Sequence, residues 1–289
     1  MNICIASGKG GTGKTTVAVN LALALGDRAE LLDCDVEEPN AHILLQPQME
    51  RNKVVNTPIP LVDLDKCTFC GECARICRFS AIVVVAKKVL LFPELCHSCG
   101  GCLAICPSGA ISEQDRELGQ LNWGLASGEI RLLNGKLRVG ETMVPPLIKQ
   151  VRKEADPEKI TIIDAPPGTS CPVIAAMRGV DYVVLVTEPT PFGLHDLKLA
   201  IAAVKLLQIP CGLVINRADI GTDEVYTYAQ QEGLPVLLSI PFERRIAELY
   251  SRGIPLVKEL PEWQGKFAHL FNEIEQLVRQ ATKEKACMK

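Results

Sequence analysis

The sequence is poor in aromatic residues and lacks both a long apolar run and an excess of basic residues. Aromatic side chains make up 4% of the 289 residues, although a hydrophobic share of 47% is ample for a core. No apolar run approaches the ~18 residues that a membrane-spanning helix needs, so we expect no span and no membrane association. The net charge of −3, without a basic stripe, argues against a nucleic-acid-binding surface.

An export signal is also missing from the first residues. Residues 1–6 form a short apolar run without a basic region or a cleavage site, which is typical of a first strand. The chain nevertheless contains 13 cysteines. Without a signal peptide, that number indicates a reducing compartment rather than a disulfide framework, so we expect a cytoplasmic protein.

Most of the cysteines belong to two copies of one motif. Residues 67–77 and 96–106 both have the spacing C-x2-C-x2-C-x3-C, and the copies correspond at one constant offset, as an internal repeat does. Thiolates are the soft ligands that iron–sulfur clusters need, and four of them complete one [4Fe–4S] cube. Structural zinc and disulfides are the alternatives, but zinc usually takes its ligands from two C-x2-C pairs.

The doubled motif resembles the two-cluster bacterial ferredoxins. In that pattern three cysteines of one motif and the last cysteine of the other hold each cube. The resemblance assigns to the first cluster Cys67, Cys70, Cys73 and Cys106. It assigns to the second cluster Cys77, Cys96, Cys99 and Cys102. The chain departs from the pattern at Arg78, where the first motif usually has proline, and this change would tune that cluster.

A glycine-rich loop lies between a predicted strand over 3–6 and a predicted helix over 17–25. It matches G-x4-G-K-T from Gly8 to Thr15. Glycines let backbone N–H groups surround phosphates, and the helix N-terminus adds a partial positive charge. Lys14 is expected to reach the β- and γ-phosphates, and Thr15 to hold Mg²⁺ through its hydroxyl. The predicted nucleotide-binding residues of the loop are Gly8, Lys9, Gly10, Gly11, Thr12, Gly13, Lys14, Thr15 and Thr16.

Lys9 gives this loop a second lysine. The pattern Lys9-Gly-Gly-Thr-Gly-Lys14-Thr15 resembles the deviant Walker A motif of the MinD/ParA/Mrp/nitrogenase-iron-protein group of P-loop ATPases. The resemblance implies a nucleotide-sandwiched dimer, either a homodimer or a heterodimer with a paralogue, in which Lys9 contacts the phosphates of the partner's nucleotide. Lys9, Lys14 and Asp35 are then the predicted catalytic residues. A solvated loop lysine is the alternative for Lys9.

Acidic residues end two further predicted strands. Asp33 and Asp35 share one face of the strand over 31–35, because successive residues alternate. By resemblance to switch I, Asp35 orients the attacking water and Asp33 lies near the hydration shell of Mg²⁺; two acids at an exposed strand end are the alternative. Asp164 ends the strand over 159–164, and the turn after it resembles switch II. That resemblance implies that Asp164 binds Mg²⁺ through water and that the Gly168 amide senses the γ-phosphate.

Weaker signals follow in the second half of the chain. Buried strands are predicted over 183–186, 212–216 and 236–240. Asn216 and Arg217 end one of them, where members of the family contact the adenine, and Pro241 follows the next and would line the base. Loop packing is an equal alternative for these residues. Cys171, just past switch II, is either a redox or metal site or a buried structural cysteine.

Three local structures are also predicted. One hairpin is expected over 81–92, between the cysteine motifs, and another around Asn134 and Gly135. Apolar residues recur at helical spacing over 263–278. MinD proteins end in a membrane-binding amphipathic helix, but the wide apolar face here favours packing against the sheet.

The predicted fold is α/β, a doubly wound parallel-sheet P-loop NTPase domain with an inserted α+β bacterial-ferredoxin-like domain. The expected boundaries place the ATPase domain at 1–58 and 117–289 and the insert at 59–116. The expected cofactors are two [4Fe–4S] clusters, ATP or ADP, and Mg²⁺.

Three functions agree with these motifs. The first is ATP-dependent electron transfer to a redox partner protein, as in the nitrogenase iron protein. The second is assembly or delivery of an Fe–S or metal cofactor, as in Mrp-like proteins. The third is a positioning ATPase of the MinD/ParA kind with clusters as redox sensors. Because all eight ligands follow the ferredoxin pattern, stable electron-carrying cubes are favoured and electron transfer ranks first; the sequence does not identify the partner.

Overall fold

The computed structural model describes the backbone of residues 1–126 and 129–287, and the side chains within those ranges up to residue 283. The strands of the described chain are β1 (Asn2–Ala6), β2 (Ala29–Asp33), β3 (Gln48–Val62), β4 (Ile82–Val85), β5 (Lys88–Leu91), β6 (Ile111–Ala126), β7 (Ile130–Leu137), β8 (Ile160–Asp164), β9 (Tyr182–Thr187), β10 (Cys211–Asn216) and β11 (Val236–Ile240). The helices are α1 (Lys14–Leu25), α2 (Ala41–Leu45), α3 (Glu72–Ile76), α4 (Gly101–Ile105), α5 (Val144–Lys153), α6 (Cys171–Met177), α7 (Pro191–Leu206), α8 (Glu224–Gln231), α9 (Arg244–Ser251), α10 (Leu256–Glu259) and α11 (Pro261–Cys287).

A nine-stranded sheet organises these described elements. Its strand order is β11-β10-β9-β1-β8-β2-β7-β6-β3. The strands from β11 to β7 pair in parallel, whereas β6 and β3 pair antiparallel. Side chains of β1 alternate between two cores, with Ile3 and Ile5 on one face and Cys4 and Ala6 on the other. Helices therefore cover both faces of the parallel part, which confirms the predicted α/β parallel-sheet fold.

The C-terminal helix α11 packs onto one face of the sheet. Its residues Trp263, Phe267, Leu270 and Ile274 are buried in the same core as α1. This confirms the predicted use of the apolar stripe over 263–278 as a packing surface. Among the described helices, none combines the length and the apolar character needed to cross a bilayer.

Strands β3 and β6 form a long antiparallel ribbon at the edge of the sheet. Their pairing runs from Gln48 opposite Leu125 to Val62 opposite Ile111. The predicted domain boundaries at 58/59 and 116/117 therefore fall inside continuous strands. Pro58 and Pro60 lie within β3. An edge strand accommodates proline, because N–H groups on its outer side have no partner strand to bond.

The predicted hairpin around Asn134 and Gly135 is wrong. Both residues lie inside β7, where Asn134 pairs with Asp33 of β2. A Cβ atom at Gly135 would lie 2.6 Å from Val36 and 2.7 Å from Val151, so glycine serves close packing here rather than a turn. The chain reverses instead between β6 and β7, and residues 127–128 of that connection lie outside the described part.

The segment between the two ribbon strands contains the cysteine motifs. Strands β4 and β5 pair antiparallel, Ile82 opposite Leu91, so the predicted hairpin over 81–92 is confirmed. Each motif contains a five-residue helix, α3 in the first and α4 in the second. These two helices contact each other, and α4 also contacts β6. The segment is thus attached to the sheet by both strands of the ribbon.

Candidate nucleotide site and cysteine cavities

The predicted phosphate loop connects β1 to α1 at the carboxyl edge of the sheet. Gly11 and Gly13 adopt left-handed conformations with φ of 78° and 97°, which glycine adopts without strain. A Cβ at Gly13 would also lie 2.5 Å from the side chain of Asn216. Lys14 begins α1 and is buried. Burial lowers the pKa of Lys14, and the carboxylates of Asp164 and Asp35 oppose that shift.

Thr15 and Asp164 lie together beside this loop. The Thr15 hydroxyl donates a hydrogen bond of 2.6 Å to Oδ2 of Asp164. Oδ1 of Asp164 is buried and has no hydrogen-bond partner. Burial raises the pKa of Asp164, and the bond from Thr15 opposes the shift. A hydroxyl and a carboxylate with a spare oxygen are the hard donors that Mg²⁺ prefers, so the pair fits the predicted ion.

The Asp33 carboxylate accepts hydrogen bonds from the backbone through both of its oxygens. Oδ1 accepts the amide of Asp35 at 3.1 Å, and Oδ2 accepts the amides of Asn40 and Ala41, both at 3.0 Å. Asp33 is fully buried, and burial raises its pKa, with the neighbouring Asp164 carboxylate adding to the effect. Asp33 therefore holds the loop that follows β2.

Asp35 lies just beyond the end of β2 and is half-buried. Burial raises its pKa to about 6, the positive charge of Lys14 opposes the shift, and the negative charge of Glu37 adds to it. A carboxylate near Lys14 with a pKa in this range can accept a proton from water at neutral pH. Its environment is therefore compatible with the predicted role in orienting water.

The loop after β8 contacts the phosphate loop directly. Gly168 has a φ of 96°, and its amide donates a hydrogen bond of 3.1 Å to the carbonyl oxygen of Ser7. In this conformation the amide is committed to Ser7. Contact with a γ-phosphate would require that bond to break. Cys171 begins α6 a few residues later and is exposed, so the alternative of a buried structural cysteine is wrong.

Lys9 is paired within its own chain. Its Nζ lies 3.4 Å from Oε2 of Glu188, which directly follows β9. Arg217 Nη1 lies 2.8 Å from the other oxygen of the same carboxylate. Glu188 was missed by the sequence reasoning. An acid at the carboxyl end of a buried parallel strand is the signal that identified Asp164, and the same signal could have identified Glu188.

The residues predicted to hold the base surround the same edge. The Asn216 amide donates a 2.9 Å hydrogen bond to the carbonyl oxygen of Thr12, so it ties β10 to the phosphate loop. The Arg217 guanidinium lies 5.8 Å from the centre of the Phe242 ring. Asp219 accepts the Phe242 amide at 2.6 Å. Pro241, which directly precedes Phe242 in the sequence, is half-buried. Phe242 and Asp219 were not among the predicted residues.

The eight motif cysteines line two separate cavities. One cavity is lined by Cys67, Cys70, Cys73 and Cys106. The other is lined by Cys77, Cys96, Cys99 and Cys102. Each group combines three cysteines of one motif with the last cysteine of the other, as in the cross-ligated ferredoxin pattern. Phe79 and His97 also line the second cavity, and their rings stack with centroids 3.4 Å apart.

The backbones of the two motifs repeat each other residue for residue. The amides of Phe69 and Ser98 each donate 3.4 Å bonds to the sulfur of the first cysteine in their own motif. The amides of Ala81 and Ala110 do the same at 3.3 Å to the last cysteine. Such N–H donors stabilise thiolates. Burial raises the pKa of Cys77, but the amides of residues 79–82 outweigh it and lower the pKa overall.

The donor set fits an iron–sulfur cube, because each cavity offers the four thiol sulfurs that complete one. Among the described residues, no group of three or more His, Cys, Asp or Glu side chains converges on a point that could hold a metal ion. The cysteines instead stand around cavities, as thiolates do around a cluster that has its own volume.

Known proteins resemble the chain over most of its length. A protein-family model, the CobQ/CobB/MinD/ParA nucleotide binding domain, matches residues 3–256. An uncharacterized protein of Methanocaldococcus jannaschii is 30% identical over 264 residues, which is 89% of this chain and 92% of that protein. An iron-sulfur cluster carrier protein of Aquifex aeolicus is 25% identical over 98% of this chain and 68% of its own length.

A solved structure shows the same fold. The septum site-determining protein MinD of Pyrococcus horikoshii, in complex with Mg-ADP, aligns with a TM-score of 0.59 and 23% identity. The alignment covers 96% of each chain. This similarity agrees with the fold built on the parallel sheet. The chain belongs to the CobQ/CobB/MinD/ParA family of nucleotide-binding domains.

Proposed function

We propose that this protein binds and hydrolyses ATP and couples its nucleotide state to electron transfer through two [4Fe–4S] clusters to a partner protein. One observation carries the proposal. A nucleotide-type phosphate loop and two four-cysteine cavities of the ferredoxin pattern belong to one chain, joined by a ribbon of the same sheet. The clusters would supply one-electron redox chemistry when bound.

On the nucleotide side, each residue has a role that its contacts support. Lys14 and the loop amides would bind the phosphates, while Thr15 and the free oxygen of Asp164 would hold Mg²⁺. Asp35 would orient the attacking water. Lys9 would leave Glu188 and reach the nucleotide of a second chain, neutralising charge that develops in the transition state. Hydrolysis would then occur in a nucleotide-sandwiched dimer.

A series of hydrogen bonds links this site to the second cysteine motif. Val36, next to Asp35, accepts the amide of Leu137 at 2.8 Å where β7 ends. The chain then turns, and the Glu141 amide donates a hydrogen bond of 3.0 Å to the carbonyl oxygen of Arg138. The next residue, Thr142, donates its hydroxyl to the carbonyl oxygen of Glu94 at 3.1 Å. Glu94 precedes the first cysteine of that motif by two residues, so motion of switch I can reach the second cavity.

Around the cysteines the surface suits a protein partner. Ile76 is 42% exposed and Phe79 is 40% exposed, and both line the second cavity. Leu103 lines it as well and is also exposed. Exposed apolar side chains beside a redox centre allow a partner to approach closely and to exclude water. This arrangement supports exchange of electrons with another protein.

Iron analysis tests the cluster assignment. Anaerobically purified protein should contain about eight irons per chain, because two cubes carry four each. Cys77→Ser should disturb the cluster that Cys96, Cys99 and Cys102 help to hold, and it should leave the signal of the other cluster intact in electron paramagnetic resonance. Cys211→Ser is the matched control, since Cys211 lies on β10 away from both cavities, and it should keep all the iron. About four irons, or mainly zinc, in the unaltered protein would refute the assignment.

A second function, delivery of an Fe–S cluster, is favoured by the Aquifex aeolicus relative, which is named an iron-sulfur cluster carrier protein. The two functions differ in how firmly the iron is held. Chelator-resistant clusters with nucleotide-dependent reduction potentials would support electron transfer. Chelator-labile iron that passes to an apo-acceptor would support delivery.

A further inference from the structure

Glu188 is a buried carboxylate that holds two cations at the edge of the phosphate loop. Its side chain is 8% exposed, whereas that of Lys9 is 30% exposed. Oε2 lies 3.4 Å from Lys9 Nζ, and Oε1 lies 2.8 Å from Arg217 Nη1. Each oxygen therefore has its own cation. The nucleotide roles proposed above mention Glu188 only as the residue that Lys9 leaves, and they give Glu188 no role of its own.

Backbone packing fixes the two ends of the Lys9–Glu188 pair. A Cβ at Gly8 would lie 2.2 Å from the carbonyl oxygen of Asp196, so the loop just before Lys9 is pressed against α7. A Cβ at Gly193 would lie 2.2 Å from the carbonyl oxygen of Glu188. With both backbones held, the flexible lysine side chain is the part that can change partner.

Arg217 makes that change possible at little cost. Breaking a buried ion pair is strongly unfavourable when it leaves one charge without a partner. Here Glu188 keeps Arg217 after Lys9 departs, and Lys9, being partly exposed, gains solvent or a phosphate. The carboxylate therefore holds Lys9 weakly and reversibly, as a partly exposed ion pair does.

We propose that Glu188 is a positioning residue that holds Lys9 on its own chain in the resting protein and releases it to the nucleotide of a second chain when ATP-bound chains dimerise. This inference rests on the proposed dimeric hydrolysis. It adds that the charge of Glu188 competes with the partner's phosphates for Lys9, so Glu188 sets the protein concentration at which the dimer forms.

Glu188→Gln tests the competition, because it keeps the shape of the side chain and removes the charge. The dissociation constant of the ATP-bound dimer should fall about two- to five-fold, the range expected for a partly exposed pair. Hydrolysis per chain should rise by the same factor at protein concentrations below that constant. At saturating protein it should not change. A weaker dimer, or an unchanged one, would overturn the proposal.

Two further variants separate this outcome from other causes. In a Lys9→Ala background, Glu188→Gln should no longer change dimerisation, since nothing remains to be released. A structural effect of Glu188→Gln would persist in that background. Glu232→Gln is the control for loss of a carboxylate, because Glu232 pairs with Lys205 in the last turn of α7 and should leave dimerisation unchanged. If Lys9→Ala changes neither dimerisation nor hydrolysis at any protein concentration, the dimeric mechanism fails. If Lys9→Ala changes them and Glu188→Gln does not, only the role of Glu188 fails.

Amine labelling followed by mass spectrometry gives a readout at Lys9 itself. Without nucleotide, Lys9 of the unaltered protein should react more slowly than the exposed Lys87, and addition of ATP should protect it further as the dimer forms. In Glu188→Gln without nucleotide, Lys9 should react faster than in the unaltered protein. Equal reactivity of Lys9 in the two proteins would contradict the proposal.

Discussion

Asp35 illustrates how burial and neighbouring charges set the working range of one side chain. Its pKa is raised to about 6, first by burial and also by Glu37, against the opposing charge of Lys14. The ionised form is the one that accepts a hydrogen bond from water. As pH falls through 6, Asp35 becomes protonated and the proposed water-orienting group is lost.

We therefore expect kcat/KM for ATP hydrolysis to fall about ten-fold per pH unit below pH 6, since kcat/KM reports the free enzyme. This fall is the acid limb of the pH–rate profile. Glu37→Gln should move the acid limb to lower pH, because it removes a negative charge that raises the pKa of Asp35. Steady-state rates between pH 4.5 and 8, a range of roughly one to two units either side of the limb, provide the measurement. A limb that stays in place in Glu37→Gln, or that persists in Asp35→Asn, would show that another group controls it.

Asp33 shows a limit of sequence reasoning at the same scale. The alternation of strand residues placed Asp33 and Asp35 on one face, but it could not show that backbone amides occupy both Asp33 oxygens. Those amides come from a loop, and loop paths depend on tertiary packing. For Lys9 the motif indicated a functional lysine, whereas its resting partner lies far along the chain, after β9. Contacts of this kind carry no local sequence signal.

At the scale of elements, the loop between β2 and α2 depends on that one carboxylate. Asp33→Ala would leave three backbone amides without their acceptor, partly offset by removal of a buried charge beside Asp164. We expect the free energy of unfolding to fall by about 2 kcal/mol. Hydrogen exchange at the Asn40 and Ala41 amides should accelerate, while ATP binding through Lys14 should persist.

Asp181→Ala is the matched control for this change. Asp181 accepts a single backbone amide, that of Asn2, at 2.7 Å where β1 begins. Exchange at Asn40 and Ala41 should be unaffected in that variant. Unchanged exchange at those two amides in Asp33→Ala would mean that the loop is held by other contacts.

Elements with a strong local pattern were predictable, and those defined by pairing were not. The helix after the phosphate loop ends at Gly26, and the hairpin over 81–92 is present. In contrast, Asn134 and Gly135 look like a turn in isolation but lie inside β7, because β2 and β6 pair with it on both sides. Pro58 and Pro60, which would favour a turn in isolation, lie in an edge strand. Non-local pairing overrode local turn preference in both places.

At the scale of the whole molecule, the proposed coupling runs through Thr142. Thr142→Val keeps the shape of the side chain but removes the hydroxyl that bonds Glu94. We expect iron content and ATPase rate to stay near those of the unaltered protein. Any ATP-dependent shift in the reduction potential of the second cluster should shrink. Redox titration followed by electron paramagnetic resonance, with and without nucleotide, measures this shift.

Thr282→Val provides the comparison for this variant. The Thr282 hydroxyl likewise donates to a backbone carbonyl, that of Val278 at 2.8 Å, but on α11. In Thr282→Val, the nucleotide-dependent shift in the reduction potential of the second cluster should match that of the unaltered protein. If Thr142→Val retains the full shift, the coupling takes another route, such as the ribbon itself.

The ribbon of β3 and β6 also determines how the cysteine segment is joined to the rest of the chain. Val62 lies opposite Ile111, and the Asp63 amide still bonds Ala110 at 2.8 Å, so the segment leaves and re-enters at adjacent points. A short turn joining those points would close an ordinary hairpin and leave the order of the parallel strands untouched. We therefore expect the cysteine segment to behave as a cassette, which can be lengthened, replaced or excised without changing the order of the strands that carry it.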